Sequence, residues 1–272
     1  MLVSVFETSR SIWKKGRWAA VVVGVVYFAI LLFENGVSAS VLWAIVPTVL
    51  LVGIARVCAL VAAQEAHIRL LSILYNDLEP GRFVEQYELV CGEPMSDACR
   101  RIMQMHLANG YAYGGDVEKA LERIASLPLS NDRHPLDTQL VIVGNTCTYR
   151  LMAQDVDGAR EAQQRMAALL EQARQEKKKL SPNYDRTLRL NQVQLDLEEN
   201  RAADVGPVRE ELARRSNALH TAVCHVLLAR IYAAAGKRNE ALGVLQQVTG
   251  LTGSATVLRQ ARDLQKQLQE TA

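Results

Sequence analysis

Hydrophobic and polar positions follow two different patterns along this chain. Trp18 to Phe33 and Val37 to Ala63 are near-continuous apolar runs. From Ala66 onward apolar residues recur at spacings of three and four, broken by short polar or glycine-containing turns, the pattern of amphipathic helices. Leu107, Tyr111, Leu121 and Ile124 mark the first clear helical hairpin, and Leu228, Tyr232, Leu242 and Leu245 the last. Val141-Ile142-Val143 is the best strand candidate, but it sits in a longer helix-compatible run, so an all-α domain is expected.

The two runs predict a transmembrane hairpin over residues 18–63, with spans at about 18–33 and 37–57, after a basic tail at 1–17. Val37 to Ala55 holds 19 uncharged residues, and a span needs about 20. The first run has 16 residues, about 24 Å of helix against roughly 30 Å of hydrocarbon, with Trp13 and Trp18 suited to the interface. A cleaved signal peptide ending at Val37-Ser38-Ala39 is the competing reading of this first run. Arg10, Lys14, Lys15 and Arg17 precede it, Arg56 and Arg69 follow the second, and the loop Glu34 to Ser40 has no basic residue. Positive flanks stay inside. Both termini and the domain at 64–272 are therefore expected in the cytoplasm of an integral membrane protein.

Two segments of this domain match each other. Leu107-Ala108-Asn109-Gly110-Tyr111 with Gly115 to Leu121 parallels Leu228-Ala229-Arg230-Ile231-Tyr232 with Gly236 to Leu242. Leu, a small residue, Tyr, Gly and Ala share offsets, and Pro128 closes the first hairpin. The pattern resembles the tetratricopeptide repeat, a helix-turn-helix unit of about 34 residues. Weaker copies place successive turns at Gly81, Gly115, Gln154, Asn200 and Gly236, spaced 34, 39, 46 and 36 residues apart. A generic helical-hairpin solenoid is the alternative. The resemblance implies stacked hairpins with a broad concave face that holds peptides or partner helices, and Ser254 to Gln269 reads as a capping helix. Ala120 and Ala241 should be buried where the helices of each hairpin cross.

Charge and chemistry narrow the picture. The domain holds 26 of the 31 basic and 27 of the 29 acidic residues, a net charge of −1, which gives no general case for nucleic-acid binding. Five scattered cysteines form no CxxC pair and read as buried, reduced thiols. His220 and Cys224 could share a helix face while His225 points elsewhere, but four metal ligands do not assemble. Cys99 and His106 are likewise one face of a helix without the base and oxyanion site a nucleophile needs. Glu176-Lys177-Lys178-Lys179 reads as a solvated helix end. No catalytic residue, metal or cofactor is expected.

Partner-binding positions follow from the resemblance, which implies that first-helix residues two before the Tyr line the groove. These are Asn109 and Arg230, with Thr148 and Gln194 in the degraded units, joined by Tyr113. Met105 stands where a carboxylate clamp wants a lysine, which disfavours that mode. The expectation is a non-enzymatic, membrane-anchored scaffold for an unidentified protein or peptide. The alternative is an accessory subunit of a transporter or secretion complex, with the transmembrane hairpin making the essential contact.

Overall fold

The computed structural model describes residues 3–35, 37–91, 97–127, 135–214 and 216–270, and side chains outside 3–10, 31–44 and Cys91. Among the described residues every regular element is an α-helix. The chain divides by contacts into two compact units, Met1–Leu71 and Ser72–Ala272.

The first unit is two long helices. α1 spans Val3–Asn35 and α2 starts at Val37 and runs to Tyr75, past the unit boundary. The expected loop at Glu34 to Ser40 is therefore shorter: helix reaches Asn35 and resumes at Val37, with Gly36 outside the described residues. Lys14, Lys15 and Arg17 of the expected basic tail lie on α1. Small residues bring the helices together. Gly16 faces Ala55, where a Cβ would sit 2.7 Å from the Ala55 Cβ, and Gly24 faces Thr48. The numbers run in opposite directions, so the helices are antiparallel. Ala20, one turn from each glycine, is 3% exposed. Small side chains let membrane-type helices approach closely.

One helical stretch among the described residues, Ile45–Tyr75, is long and apolar enough to cross a membrane, with mean hydropathy 2.3. Its apolar side chains face outward, Leu50 and Val49 being 61% and 63% exposed. Pro47 is accommodated within the helix.

The second unit continues with α3 (Pro80–Cys91), α4 (Asp97–Gly114), α5 (Val117–Ala125), α6 (Pro135–Met152) and α7 (Val156–Gln175). It ends with α8 (Asn183–Glu198), α9 (Gly206–Leu212), α10 (Ala218–Ala234), α11 (Arg238–Thr249) and α12 (Thr256–Glu270). Val141-Ile142-Val143 lies inside α6. Consecutive helices pack as pairs: α4 on α5, α6 on α7, α10 on α11. Ala120 and Ala241 are fully buried, as are Leu107, Ile124 and Leu245. Pro128 lies outside the described residues.

The turns share one backbone geometry. Gly115, Gln154, Asn200 and Gly236 all have left-handed φ, at +100°, +61°, +56° and +70°. Each donates its N–H three residues back, and the next residue donates five back: Gly115 to Ala112 and Asp116 to Tyr111, then Gln154 to Leu151 and Asp155 to Arg150. Asn200 and Arg201 bond to Leu197 and Asp196, and Gly236 and Lys237 to Ala233 and Tyr232. These are Schellman ends, which satisfy the orphan carbonyls of a helix. Asp116 and Asp155 then cap the next helix, accepting from Lys119 N at 3.2 Å and Gly158 N at 3.0 Å. The first turn differs from expectation. Gly81 is inside α3, and the left-handed residue is Leu78, at φ +59°.

The even-numbered helices of this unit close a ring. α4 packs on α6, α6 on α8, α8 on α10 and α10 on α12, and α12 returns to α4. Backbone bonds seal the return, with Ser254 N and Ala255 N donating to Leu78 O at 2.9 and 3.0 Å. Ser254 Oγ donates to Glu79 Oε2 at 2.7 Å. Gly253, at φ +136°, leaves no room for a side chain, since a Cβ there would lie 2.7 Å from Leu78. The C-terminal helix therefore does more than cap. Val257, Leu258 and Ala261 are buried while Arg259, Arg262, Lys266 and Glu270 face outward. The broad open face implied by the resemblance is bridged by α12.

Candidate ligand cavity

Asn109, Thr148, Gln194 and Arg230 each stand six residues before a left-handed turn residue. The shared helix ending thus puts them in one register on α4, α6, α8 and α10. Thr148, Gln194 and Arg230 line a cavity of about 80 Å³ together with Tyr113. All five ring helices contribute, α12 through Thr256, Val257 and Gln260. An adjoining hollow of about 430 Å³ shares Arg230, Glu198 and Met152 and extends to Gln154, Asp263 and Gln267.

Electrostatics inside are nearly neutral. Arg230 Nη2 donates to Glu198 Oε1 at 2.8 Å, so the two charges at the mouth offset each other. Thr148 Oγ1 lies 3.2 Å from both Gly144 O and Asn191 Oδ1. Gln194 is half-buried. Burial pushes the Tyr113 hydroxyl above its ordinary pKa, with Tyr75 and Cys224 adding to the shift, so it is a neutral donor and acceptor.

Asn109 is brought elsewhere. Its Nδ2 donates to Tyr75 Oη at 2.9 Å and its Oδ1 accepts from Tyr149 Oη at 2.5 Å. Tyr75 then has its own proton for His106 Nδ1, at 3.1 Å. Burial raises Tyr75 to about 12 and holds Tyr149 well above the phenol range. Asn109 is a strut between helices, although it also borders a polar hollow of about 380 Å³ with Tyr113, Arg186, Asn217 and His220.

Spacing could not show Glu198, Thr256 and Gln260, because their place depends on α12 coming back to α4. One signal was present: Glu198 and Met152 stand two residues before their turn residue, as Tyr113 does.

The reactive-looking side chains are accounted for by packing. His220 Nε2 lies 3.2 Å from Glu211 Oε2 and 3.6 Å from Cys224 Sγ. Both neighbours meet the same ring nitrogen, whereas a relay needs them on opposite ones. Burial, with Glu211 beside it, pushes the Cys224 thiol to about 12, and burial alone does the same for Cys147. Among the described side chains the expectation of buried thiols holds for those two. Cys58 and Cys99 are exposed, because Cys58 is on the outward face of α2 and Cys99 in the first turn of α4. Cys91 has no described side chain. His106 and Cys99 share α4, but His106 engages Tyr75 and Cys99 Sγ lies 3.9 Å from Met103 Sδ. The lysine run lies beyond the end of α7, with Lys178 paired to Glu176 at 2.6 Å. Among the described residues no group of three or more His, Cys, Asp or Glu is placed to hold a metal ion.

No family model matches the chain, and no curated protein or solved structure matches it.

Proposed function

We propose that this chain is a membrane-anchored, non-enzymatic adaptor that binds a partner protein or peptide through the inner face of a tetratricopeptide-like helical domain. One observation carries the reading. Three of the four positions implied by the repeat resemblance, Thr148, Gln194 and Arg230, line the same cavity together with the added Tyr113. Four Schellman turns at the expected places support the repeat, since a shared helix ending repeated along a chain is what stacked hairpins require. The anchor raises the concentration of the binding face at the bilayer, which strengthens capture of membrane-proximal partners without new contacts.

In this reading α1 and α2 both span, and the basic flanks keep the helical domain on the cytoplasmic side. External protease should leave the domain intact in whole cells, and cleavage there would reject that orientation. The test of binding uses the full chain in its membrane. A benzophenone amino acid in place of Gln194 should crosslink a discrete partner, and the same probe in place of exposed Arg165 on α7 should not. Equal crosslinking from both positions would overturn the proposal.

An apolar crevice in the first unit, lined by Val21, Gly24, Val25, Phe28, Ile45, Thr48 and Val49, favours a second reading. There the chain is an accessory subunit that seats another membrane helix between α1 and α2. Exchanging both helices for an unrelated anchor abolishes function in this reading and spares it in the first.

A further inference from the structure

The chain itself crosses every junction of the ring except the last. α5 joins α4 to α6, α7 joins α6 to α8, α9 joins α8 to α10 and α11 joins α10 to α12, and each of these also packs on the ring helix that follows it. α12 meets α4 with no such crossing. That seam is held by the Ser254 and Ala255 N–H groups on Leu78 O and by Ser254 Oγ on Glu79 Oε2. Thr256 completes it against the end of α4, where a Cβ on Gly115 would lie 3.3 Å from Thr256 Cγ2.

Closing the seam carries local costs. Thr256 Oγ1 is sealed from solvent without a hydrogen-bond partner among the described residues. An unpaired buried hydroxyl is costly and can act as a store of strain, which is released once water reaches it. Gly253 backs onto Leu78 at φ +136°, a conformation that side-chain-bearing residues rarely adopt. The Ser254–Glu79 bond is exposed, so water competes for both groups. On its other side α12 is secure: Val257, Leu258 and Ala261 are buried, and the helix packs on α10 and α11.

The space behind the seam is small. Tyr113 of α4 and Thr256, Val257 and Gln260 of α12 line a cavity of about 80 Å³, about half the volume of an apolar cavity that takes up benzene. The closed ring therefore has no room for a length of peptide against Thr148, Gln194 and Arg230. Parting α12 from α4 widens this cavity while leaving every chain crossing intact.

We infer that the junction of α12 with α4 is a latch, at which the ring opens to admit a partner segment to its inner face. α12 leaves Leu78, Glu79 and Gly115 and stays seated on α10 and α11. This rests on the peptide-binding reading above and adds to it the closed state that gives way on binding.

Residue-resolved amide exchange on the full chain in detergent micelles distinguishes opening of the seam from loss of α12. Allowing for local sequence, the Ser254 and Ala255 amides should exchange at least about tenfold faster than Ala261 in α12 and Ala229 in α10, as a local opening requires. Thr256→Val removes the unpaired hydroxyl and should slow both amides about fivefold. Gly253→Ala forces a Cβ to within 2.7 Å of Leu78 and should speed them about tenfold, with Ala229 unchanged in either variant. In membranes, crosslinking from the benzophenone at position 194 should slow with Thr256→Val and quicken with Gly253→Ala. Ser254 and Ala255 protected as well as Ala229, Ala261 exchanging together with them, or no slowing in Thr256→Val would overturn the inference. Selective crosslinking at one rate in all three chains would overturn it too and leave the adaptor reading in place. The expected exchange pattern with no selective crosslinking in any chain would remove the adaptor reading and leave the latch.

Discussion

α2 and α10 are both apolar helices, and they satisfy that character in opposite ways. α10, Ala218–Ala234, has Leu219, Ala222, Cys224, Val226, Leu227, Leu228, Ala229 and Ile231 buried among its neighbours. In α2 the stretch from Ile45 leaves Val46, Val49, Leu50, Ile54 and Val57 more than half exposed. A helix apolar on all sides needs an apolar surrounding, either protein or lipid. Composition cannot choose between them. The difference lies in what packs on each: α10 has α9, α11 and α12 on it, whereas the described neighbours of the apolar stretch of α2 are those of α1 at Gly16 and Gly24, facing Ala55 and Thr48.

A charge placed in each helix should give the largest contrast. Leu228→Arg puts an unpaired charge among Val193, Val208 and Ile231, and the cooperative transition of the second unit should be lost, at a cost of about 3–5 kcal/mol. Leu50→Arg should leave that transition in place and instead weaken retention in carbonate-washed membranes, since arginine mid-span costs about 2.5–3.5 kcal/mol. If Leu50→Arg stays fully membrane-bound, α2 does not lie across the bilayer at that depth.

Volume should discriminate more gently. Ala241→Phe, against the fully buried crossing of α11 on α10, should destabilise by about 1–3 kcal/mol, read as a lower Tm, and Ala120→Phe should behave alike. Val49→Phe, on the outward face of α2, should change Tm by no more than about 0.5 kcal/mol equivalent. Tolerance at both alanines would refute the close helix crossing.

The smallest effect is in reactivity rather than stability. At pH 8 a thiol whose pKa is pushed to about 12 is almost wholly protonated, so Cys224 on α10 should resist alkylation in the folded chain until denatured. Cys99 should react readily with a water-soluble maleimide. Cys58 on α2 is uncovered by protein and lies just past the span expected at 37–57, so it should label at the membrane interface, more slowly than Cys99. Labelling of Cys58 in intact membranes at the rate of Cys99 would place it in water.

These contrasts show what residue patterns carry and what they do not. Helix identity was legible from periodicity, and the turns at Gly115, Gln154, Asn200 and Gly236 from polar punctuation, because a helix end is local chemistry. Gly81 misled for the same reason: a glycine signals permissiveness, while the left-handed position fell on Leu78, held there by bonds from Ser254 and Ala255 some 175 residues away. Asn109 showed the right register but not its engagement by Tyr75 and Tyr149, partners 34 and 40 residues distant. Thr256 escaped notice because an amphipathic last helix looks the same whether it ends a stack or returns to its beginning.

That return has a consequence for how such a domain changes over generations. Open stacks of hairpins tolerate duplication or loss of a unit, each unit meeting only its neighbours. Here the Leu78 carbonyl receives both Ser254 and Ala255, so an inserted pair of helices would pull the first turn from the last. Adding or removing a hairpin would therefore break the closure, whereas substitution within the ring would leave it in place. It also couples distant ends during folding: the joint between residues 78 and 254 spans most of the unit's sequence, and contacts of such separation slow folding. A truncation at residue 253 should therefore be felt at the start of α3, far away in the chain and adjacent in space.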